Sequence, residues 1–160
     1  MILIALGANL PSSAGTPAAT LRAALARLEA QGGKILSVSP FYETPAWPNP
    51  AQPPFVNAVA IVETTLQPVE LLALLHGVET AFGRLRSASN APRSLDIDLL
   101  DYEGRVMSEG VMLPHPRMTG RSFVLVPLAE IAPDWRDPVS GQGIGDLLAA
   151  LPDRDTPKAI

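Results

Sequence analysis

Cysteine is absent from this chain of 160 residues, and histidine occurs only twice. Without cysteine the chain forms no disulfide bonds and no thiolate metal sites, which is compatible with a reducing compartment. The two histidines, His76 and His115, are too few for a multi-histidine zinc site. The sequence therefore excludes a disulfide-stabilised scaffold and a zinc enzyme of that kind.

Several glycine-rich motifs of nucleotide-binding proteins and hydrolases are also missing. The Gly33-Lys34 pair fails the Walker A pattern, because Leu28 stands where the first glycine belongs and Ile35 where the hydroxyl residue belongs. No G-x-G-x-x-G and no G-x-S-x-G pattern occurs. Phosphate chemistry in this chain must then depend on carboxylate-bound metal and on arginine side chains.

Strong net charge and long apolar runs are missing as well. The net charge of −4 argues against a general nucleic-acid binder or a membrane-surface protein. The N-terminal apolar run, residues 2–6, is too short for a signal peptide or a membrane span. We therefore expect a cytoplasmic protein that acts as a monomer on small molecules. Its 47% of apolar residues predicts a single folded domain over residues 1–160.

The spacing of apolar residues predicts an α+β protein. Helix caps and prolines, such as Thr16-Pro17 and Pro68, mark two helix starts. The order of elements predicts helices on one face of a mostly antiparallel sheet, with the other face left to carry a site. The predicted elements are a strand over 2–6, a helix from 17, strands over 35–39 and 55–64, a helix over 68–83, a strand holding Asp96 and Asp98, and a short helix over 145–151. The polar residues at the end of the chain are expected to be loose.

The strongest functional signal is a pair of aspartates that follows a group of arginines. Asp96 and Asp98 stand two residues apart in an apolar run, so in a strand both side chains point to the same face. Two adjacent carboxylates repel unless a cation lies between them, and Mg²⁺ is commonly held by carboxylates and substrate phosphates. Arg84 and Arg93 suit phosphate oxygens. The pattern favours a magnesium–polyphosphate site, whereas the aspartates alone would more often just face water.

Two further patterns have both a functional and a structural interpretation. Leu72, His76 and Glu79 follow one another at helical spacing, so they line either a pocket or a solvated flank of the second helix. Phe55 and Asn57 lie side by side on one strand face, where they present a ring and an amide to a ligand or simply occupy the edge of the core.

An ordered set of short motifs extends from Leu6 to about Pro133. The motifs are Leu6-Gly7-Ala8-Asn9-Leu10, Phe41-Tyr42-Glu43-Thr44-Pro45, Phe55-Val56-Asn57-Ala58, Glu79 with Gly83-Arg84-Leu85-Arg86, Pro92-Arg93-Ser94-Leu95-Asp96-Ile97-Asp98, Leu113-Pro114-His115-Pro116, and Arg121-Ser122-Phe123-Val124-Leu125. Each motif is weak alone, but the ordered set is specific. The chain resembles the 6-hydroxymethyl-7,8-dihydropterin pyrophosphokinase family of folate biosynthesis.

This resemblance implies a ferredoxin-like two-layer fold and the transfer of pyrophosphate from ATP to the hydroxymethyl group of the pterin, giving AMP. It implies that Asp96 and Asp98 bind two Mg²⁺ ions together with ATP. Arg84 and Arg93 would contact the phosphates and, with the two aspartates, form the catalytic set. Asp98 is the candidate acceptor of the hydroxymethyl proton.

The resemblance also implies which residues bind each substrate. The ATP-binding residues would be Leu72, His76, Glu79, Arg84, Arg93, Ile97, Leu99, His115 and Arg121. Phe55 and Phe123 would sandwich the pterin ring, with Thr44, Pro45, Trp47, Asn57 and Asp96 around it. The chain departs from the family pattern at Ser89, Gly110 and Met112, where other members carry residues near ATP. The proline-rich segment 44–54 and the segment 85–92 are expected to close over ATP.

Two other functions remain open at the level of the sequence. A different magnesium-dependent nucleotidyl or phosphoryl transferase would use the same aspartates, but it would produce ADP or a nucleotidyl product and would not need Phe55 and Phe123. A non-catalytic ferredoxin-like binding module would need neither Asp96 nor Asp98. As a nucleic-acid binder it would want a basic, aromatic sheet face, which the negative net charge disfavours.

Overall fold

The fold is organised around one antiparallel sheet. The computed structural model describes residues 1–46, 48–84, 92–152 and 156–160. Its elements in chain order are β1 (Ile2–Ala8), α1 (Pro17–Ala30), β2 (Lys34–Val38), β3 (Tyr42–Thr44), β4 (Phe55–Glu63), α2 (Pro68–Ala81), β5 (Asp96–Tyr102), a 3₁₀ turn (Met118–Gly120), α3 (Ser122–Ile131), α4 (Ile144–Ala149) and β6 (Lys158–Ala159).

Within this described part, the six strands form a single sheet in the order β5-β1-β4-β3-β6, and β2 pairs with β4 beyond the end of β3. Every pairing is antiparallel. The predicted α+β class with a mostly antiparallel sheet is therefore confirmed. β5, which carries both aspartates, lies at one edge of the sheet beside β1.

Helices α1 and α2 begin at the predicted residues, Pro17 and Pro68, and α2 ends at Ala81, two residues before the predicted Gly83. The Thr16 side chain accepts a hydrogen bond from the Ala19 backbone N–H at 3.2 Å, and Pro17 occupies the first helical position of α1. At its other end the Gly33 N–H donates to the Leu28 carbonyl at 2.9 Å, and Gly32 has the positive φ of 101° that glycine tolerates best. The chain therefore turns directly from α1 into β2.

The two sheet faces bury different apolar clusters. On one face, residues such as Ile4 and Leu6 pack with Leu21 of α1 and Leu75 of α2. On the other face, Leu3, Val59 and Leu100 pack with α3 and α4. The alternation along β4, read from the sequence, places Val59 on this second face as expected.

Helices α3 and α4 cover part of the face that the sequence left free. The apolar stretch from Val124 to Ile131 forms α3, which no pattern in the sequence identified as a helix. Buried Trp135 follows α3, and its Nε1 donates to the Asp101 carboxylate at 2.7 Å. The Gly104 N–H donates to the other oxygen of Asp101, so this buried carboxylate is satisfied.

The end of the chain differs from its prediction. Residues Lys158–Ala159 form β6, which pairs with β3, and the Ile160 N–H donates to the Phe41 carbonyl at 3.0 Å. The expectation of a loose terminus was wrong for these residues, because a short strand gains backbone partners at a free sheet edge. Among the described residues, no helix is long and apolar enough to span a membrane.

Candidate active site

A cavity of about 380 Å³ opens on the part of the second sheet face that α3 leaves uncovered. Strands β1, β4 and β5 form its floor, and the start of α3 forms one wall. Its lining includes nine residues predicted for the site: Thr44, Pro45, Phe55, Asn57, Arg93, Asp96, Asp98, Arg121 and Phe123. The structure therefore brings residues from five separate segments to one place.

Strand register explains why both aspartates reach this cavity. Gly7 of β1 pairs with Asp96 on one side and with Asn57 on the other, while Ala5 pairs with Asp98. Paired residues of antiparallel strands share a face, and the small side chains of β1 leave the space above the sheet open. The amide of β4 and the carboxylates of β5 thus lie on the same face, separated by β1.

Asp96 is held by two arginines. Its Oδ1 accepts from Arg84 Nη1 at 2.5 Å and its Oδ2 from Arg93 Nη1 at 3.1 Å. Burial alone would raise the pKa of Asp96, but the hydrogen bond from Arg84 and the charges of both arginines outweigh it and lower the pKa. Asp96 is therefore a carboxylate that stays ionised.

Glu79 of α2 binds both Arg84 and the backbone of β5. Its Oε2 accepts from Arg84 Nη1 at 3.1 Å and from the Ile97 backbone N–H at 2.8 Å, so one carboxylate links α2, the catalytic-site arginine and β5. Its side chain is almost fully buried. Burial raises the pKa of Glu79 to about 7. The hydrogen bond from Ile97 opposes this rise, and the negative charge of Asp96 adds to it.

Asp98 has weaker partners than Asp96. Arg121 Nη1 donates to its Oδ2 at 3.4 Å, and His115 Nε2 lies 3.8 Å from its Oδ1. Burial and the neighbouring charge of Asp96 raise the pKa of Asp98, against the opposing effects of His115 and Arg121. The negative charge of this pair is therefore only partly compensated, and an added cation at the carboxylates would be favourable.

Burial also shifts the pKa values of His115 and Arg121, the two basic side chains beside Asp98. Burial lowers the pKa of His115, with Asp98 opposing it and the charges of Arg121 and Arg117 adding to it. Burial likewise lowers the pKa of Arg121. Neutral His115 has one acceptor and one donor nitrogen. Its Nδ1 accepts from the Arg117 backbone N–H at 3.2 Å, which leaves Nε2 as the donor on the side of Asp98.

Metal ligation in this cavity must rest on the two aspartates. Among the residues described, no group of three or more His, Asp or Glu side chains forms a metal site by itself. Mg²⁺ usually keeps several oxygen ligands from water or phosphate and needs only one or two carboxylates. Asp96 and Asp98 line the cavity and remain 28% exposed, so their oxygens fit that mode of binding.

Aromatic and amide groups occupy the other end of the cavity. Phe55 and Phe123 both line it, and the Arg121 guanidinium lies 5.3 Å from the Phe123 ring centroid. Buried Asn57 donates from Nδ2 to Thr44 Oγ1 at 2.9 Å, which fixes the orientation of the amide. This end suits a flat, apolar ring that carries hydrogen-bonding groups at its edge.

Replacing Gly7 by Ala is expected to destabilise the protein by about 1–3 kcal/mol, since overpacking at a tight site costs that much. A Cβ at Gly7 would lie 2.7 Å from Asn57 Oδ1, so the amide must move away from Thr44. Urea unfolding measures the change. Gly77→Ala is the matched control, because a Cβ there meets no atom within 4 Å and Gly77 lies inside α2. That control is expected to stabilise the protein, and an equal loss in both variants would contradict the steric argument.

Asn9 supports the site, and its role was not recognised in the sequence although it lies in the first motif. Its side chain accepts from the Arg93 N–H at 2.9 Å and donates to the Pro53 carbonyl at 3.0 Å. The Asn9 N–H also donates to the Arg93 carbonyl. This buried amide therefore joins the end of β1 to the arginine segment and to the proline-rich segment.

Of the nine predicted ATP-binding residues, Arg93 and Arg121 line the cavity, and the other seven do not: Leu72, His76, Glu79, Arg84, Ile97, Leu99 and His115. Ile97 and Leu99 are buried on the opposite face of β5, in the cluster with α1 and α2, because alternation along the strand turns them away from the aspartates. Their predicted contacts with ATP stay a prediction. Leu72 packs against that same cluster. His76 is half-buried on α2, and Glu79 of the same helix stripe joins the aspartate network through Arg84.

Some sequence predictions fall where the structure gives no description. Trp47 and Ser89, together with the rest of residues 85–91, lie outside the described residues, so their predicted contacts and the closure of both segments stay predictions. Gly110 has a positive φ of 77°, and a Cβ there would lie 3.1 Å from Val69. Met112 is exposed.

Several lining residues were not identified from the sequence. They are Ala5, Leu6, Gly7, Arg117, Gly120, Ser122, Leu151 and Pro152. Leu151 and Pro152 follow α4 and reach the cavity only because α4 packs beside α3. Arg117 lies in the histidine motif, two residues after His115, and its charge was the one available signal.

Comparison with known proteins places this geometry in a family. The model of the 7,8-dihydro-6-hydroxymethylpterin-pyrophosphokinase (HPPK) family matches residues 3–133. The 2-amino-4-hydroxy-6-hydroxymethyldihydropteridine pyrophosphokinase of Synechocystis sp. is 40% identical over 148 residues, which cover 91% of this chain and 73% of that protein. The protein of the same name from Methylorubrum extorquens is 41% identical over 145 residues, covering 89% of this chain and 90% of that one.

Solved structures support the fold. The HPPK-DHPS of Plasmodium falciparum aligns over 92% of this chain with a TM-score of 0.72, at 15% sequence identity. The chain spans 40% of the length of that Plasmodium protein. At such low identity the likeness concerns the fold alone.

Proposed function

The chain belongs to the 7,8-dihydro-6-hydroxymethylpterin-pyrophosphokinase family, and on that premise we propose that it transfers the pyrophosphoryl group of ATP to 6-hydroxymethyl-7,8-dihydropterin in folate synthesis. The observation that carries the proposal is that Asp96 and Asp98 line the same cavity as Phe55 and Phe123. Groups suited to metal and phosphate thus share one cavity with groups suited to a planar ring.

The reaction is a displacement at the β-phosphorus of ATP. The hydroxymethyl oxygen forms a bond to that phosphorus, and the bond from it to the oxygen bridging to the α-phosphorus breaks. The electron pair of the broken bond leaves with AMP, and the hydroxyl proton goes to a base or to solvent. The pterin diphosphate is the second product.

Magnesium ions are part of the proposed function. We infer that Asp96 and Asp98 would hold two Mg²⁺ ions together with ATP. When bound, Mg²⁺ orients the phosphate chain and offsets the negative charge that develops during transfer. Asp98 is the carboxylate with oxygens more available to a cation, because its contacts among the described residues are the long ones to Arg121 and His115.

The arginines are placed to bind and orient the phosphates. Arg84 and Arg93 converge on Asp96, and each guanidinium has further N–H groups beyond those bound to the carboxylate. Fixed guanidinium groups need little reorganisation as charge shifts toward the leaving AMP. Arg84 owes its position to Glu79, which we therefore assign as a positioning residue and not as an ATP contact.

The aromatic end binds the acceptor. A pterin ring between Phe55 and Phe123 would gain about 0.5–1.5 kcal/mol per aromatic pair beyond the burial of its area. The Asn57 amide would meet the polar edge of the ring, since a buried polar group left unpaired costs about 1–3 kcal/mol. Thr44 keeps the Asn57 amide in one orientation.

The catalytic unit is proposed to be one domain over residues 1–160. The cavity draws on residues from Ala5 to Pro152, which supports one folded unit. That this unit acts as a monomer stays a prediction.

A product assay tests the function. The protein is mixed with ATP, Mg²⁺ and 6-hydroxymethyl-7,8-dihydropterin, and the nucleotides are separated by chromatography. We expect AMP to form in proportion to the pterin added. ADP in place of AMP would favour another phosphoryl transferase, and unchanged nucleotides would favour a binding module.

A further inference from the structure

Arg117 is an exposed arginine of the cavity. It lines the cavity together with Arg93 and Arg121, and it lies in the segment between β5 and α3. Its backbone N–H donates to His115 Nδ1, and His115 Nε2 lies 3.8 Å from Asp98. The backbone of Arg117 is therefore bonded to a side chain that lies close to one of the two aspartates.

Arg117 differs from the other arginines of the site in its partners. Arg84 and Arg93 are paired with Asp96, and Arg121 with Asp98. Over residues 1–46, 48–84, 92–152 and 156–160, no ion pair or side-chain hydrogen bond engages the Arg117 guanidinium. An arginine that faces a cavity without a carboxylate partner has all its N–H groups available for an anion from solution, and phosphate oxygens fit their geometry.

The positive charge around Arg117 also favours the binding of an anion. Arg121 lines the same cavity, and its positive charge and that of Arg117 repel each other. Like charges held together in this manner are stabilised when an anion binds between them. The wall is thus arranged for a ligand with several negative oxygens.

On the basis of the proposed function, we propose that Arg117 binds the γ-phosphate of ATP, the outer phosphate of the group that is transferred. In the reaction the bond from the β-phosphorus to the oxygen of AMP breaks, while the bond between the β- and γ-phosphates stays intact. The γ-phosphate therefore moves with the β-phosphate to the acceptor. A cation that lines the same cavity as Phe55 and Phe123 keeps this phosphate before and after transfer.

Binding measurements with two nucleotide analogues test this assignment. Replacing the oxygen between the α- and β-phosphates by methylene blocks the reaction, so α,β-methylene ATP and α,β-methylene ADP differ only in the γ-phosphate. With Mg²⁺ present, Arg117→Gln is expected to weaken the ATP analogue by about tenfold or more, the usual size of a charge-assisted bond, and to leave the ADP analogue unchanged. Arg117→Lys is expected to recover part of the loss.

Arg27→Gln is the matched control, because it removes the same charge from α1, which packs on the opposite face of the sheet. It is expected to change neither affinity. Equal weakening of both analogues by Arg117→Gln would show a general charge effect and would overturn the assignment, as would no weakening of either. The two proposals fail separately: these affinities need no turnover, whereas pterin-dependent AMP formation by the unaltered protein tests the function.

Discussion

Asp98→Asn is expected to lower kcat by at least about 1,000-fold while leaving the protein as stable as before. The loss follows from removing a carboxylate that holds Mg²⁺, because metal stabilisation of the transition state is worth several kcal/mol and about 1.4 kcal/mol corresponds to tenfold in rate. Stability is retained because Asp98 is weakly paired and is repelled by Asp96. Chromatographic rates of AMP formation and urea unfolding measure the two effects.

Asp96→Asn is expected to lower kcat as much as Asp98→Asn does, and also to lower the stability of the protein. The amide no longer balances the charges of Arg84 and Arg93, which bind Asp96 at 2.5 and 3.1 Å. The loss should be about 1–3 kcal/mol in the free energy of unfolding, the range for a buried polar partner left unmet. The two aspartates are therefore separable: both serve catalysis, and only Asp96 also serves the fold.

Asp134→Asn is the control for the pair, since Asp134 is exposed and lies outside the cavity. It should leave both rate and stability unchanged. Full activity in Asp98→Asn would contradict the metal assignment. A stability loss in Asp98→Asn as large as that in Asp96→Asn would contradict the difference in pairing.

Glu79→Gln is expected to change how stability depends on pH. Folding raises the pKa of Glu79 from 4.5 to about 7, so the folded state binds a proton that the unfolded state has released between these values. The contribution of Glu79 to stability is fully present below pH 4.5 and is lost as pH rises through 7, by roughly 3 kcal/mol. Glutamine cannot titrate, so this loss should be absent in the variant.

The quantity to measure is the difference in unfolding free energy between the unaltered protein and Glu79→Gln, followed in urea from pH 4 to pH 8 without metal. It should fall by roughly 3 kcal/mol across that range. Glu63→Gln, at the exposed end of β4, controls for the chemical change itself. A constant difference across the range would show that Glu79 has the same pKa in the folded and unfolded states, which would contradict the prediction.

Features of the fold that depend on residues close together in the sequence were predicted, whereas features that depend on contacts between distant segments were not. The strand pattern of β4 and β5, the cap of α1 at Thr16 and the shared face of Asp96 and Asp98 were all predicted, because residues one to four positions apart determine them. Helix α3 and strand β6 were missed. The Val124–Ile131 stretch is apolar on nearly all sides, so it has no helical period, and β6 exists only because β3 offers an edge.

The site shows the same division. Ordered short motifs, read along the chain, are enough to identify the family, because they preserve the residue types that the chemistry needs. They do not show which partner each residue takes. Asp98 is paired with Arg121 23 positions away and Asp96 with Arg84 12 positions away, and nothing local distinguishes these choices.

By itself the sequence determined the class of fold, the family and the shared face of the two aspartates that line the cavity, since each depends on residue types and on short spacings. Only the tertiary structure decided that Glu79 braces Arg84, that Gly7 must lack a side chain beside Asn57, and that Arg117 faces the cavity without a carboxylate partner in the described chain. The physical reason is that sheet register and helix packing set the distances between remote segments, and local patterns leave those distances open.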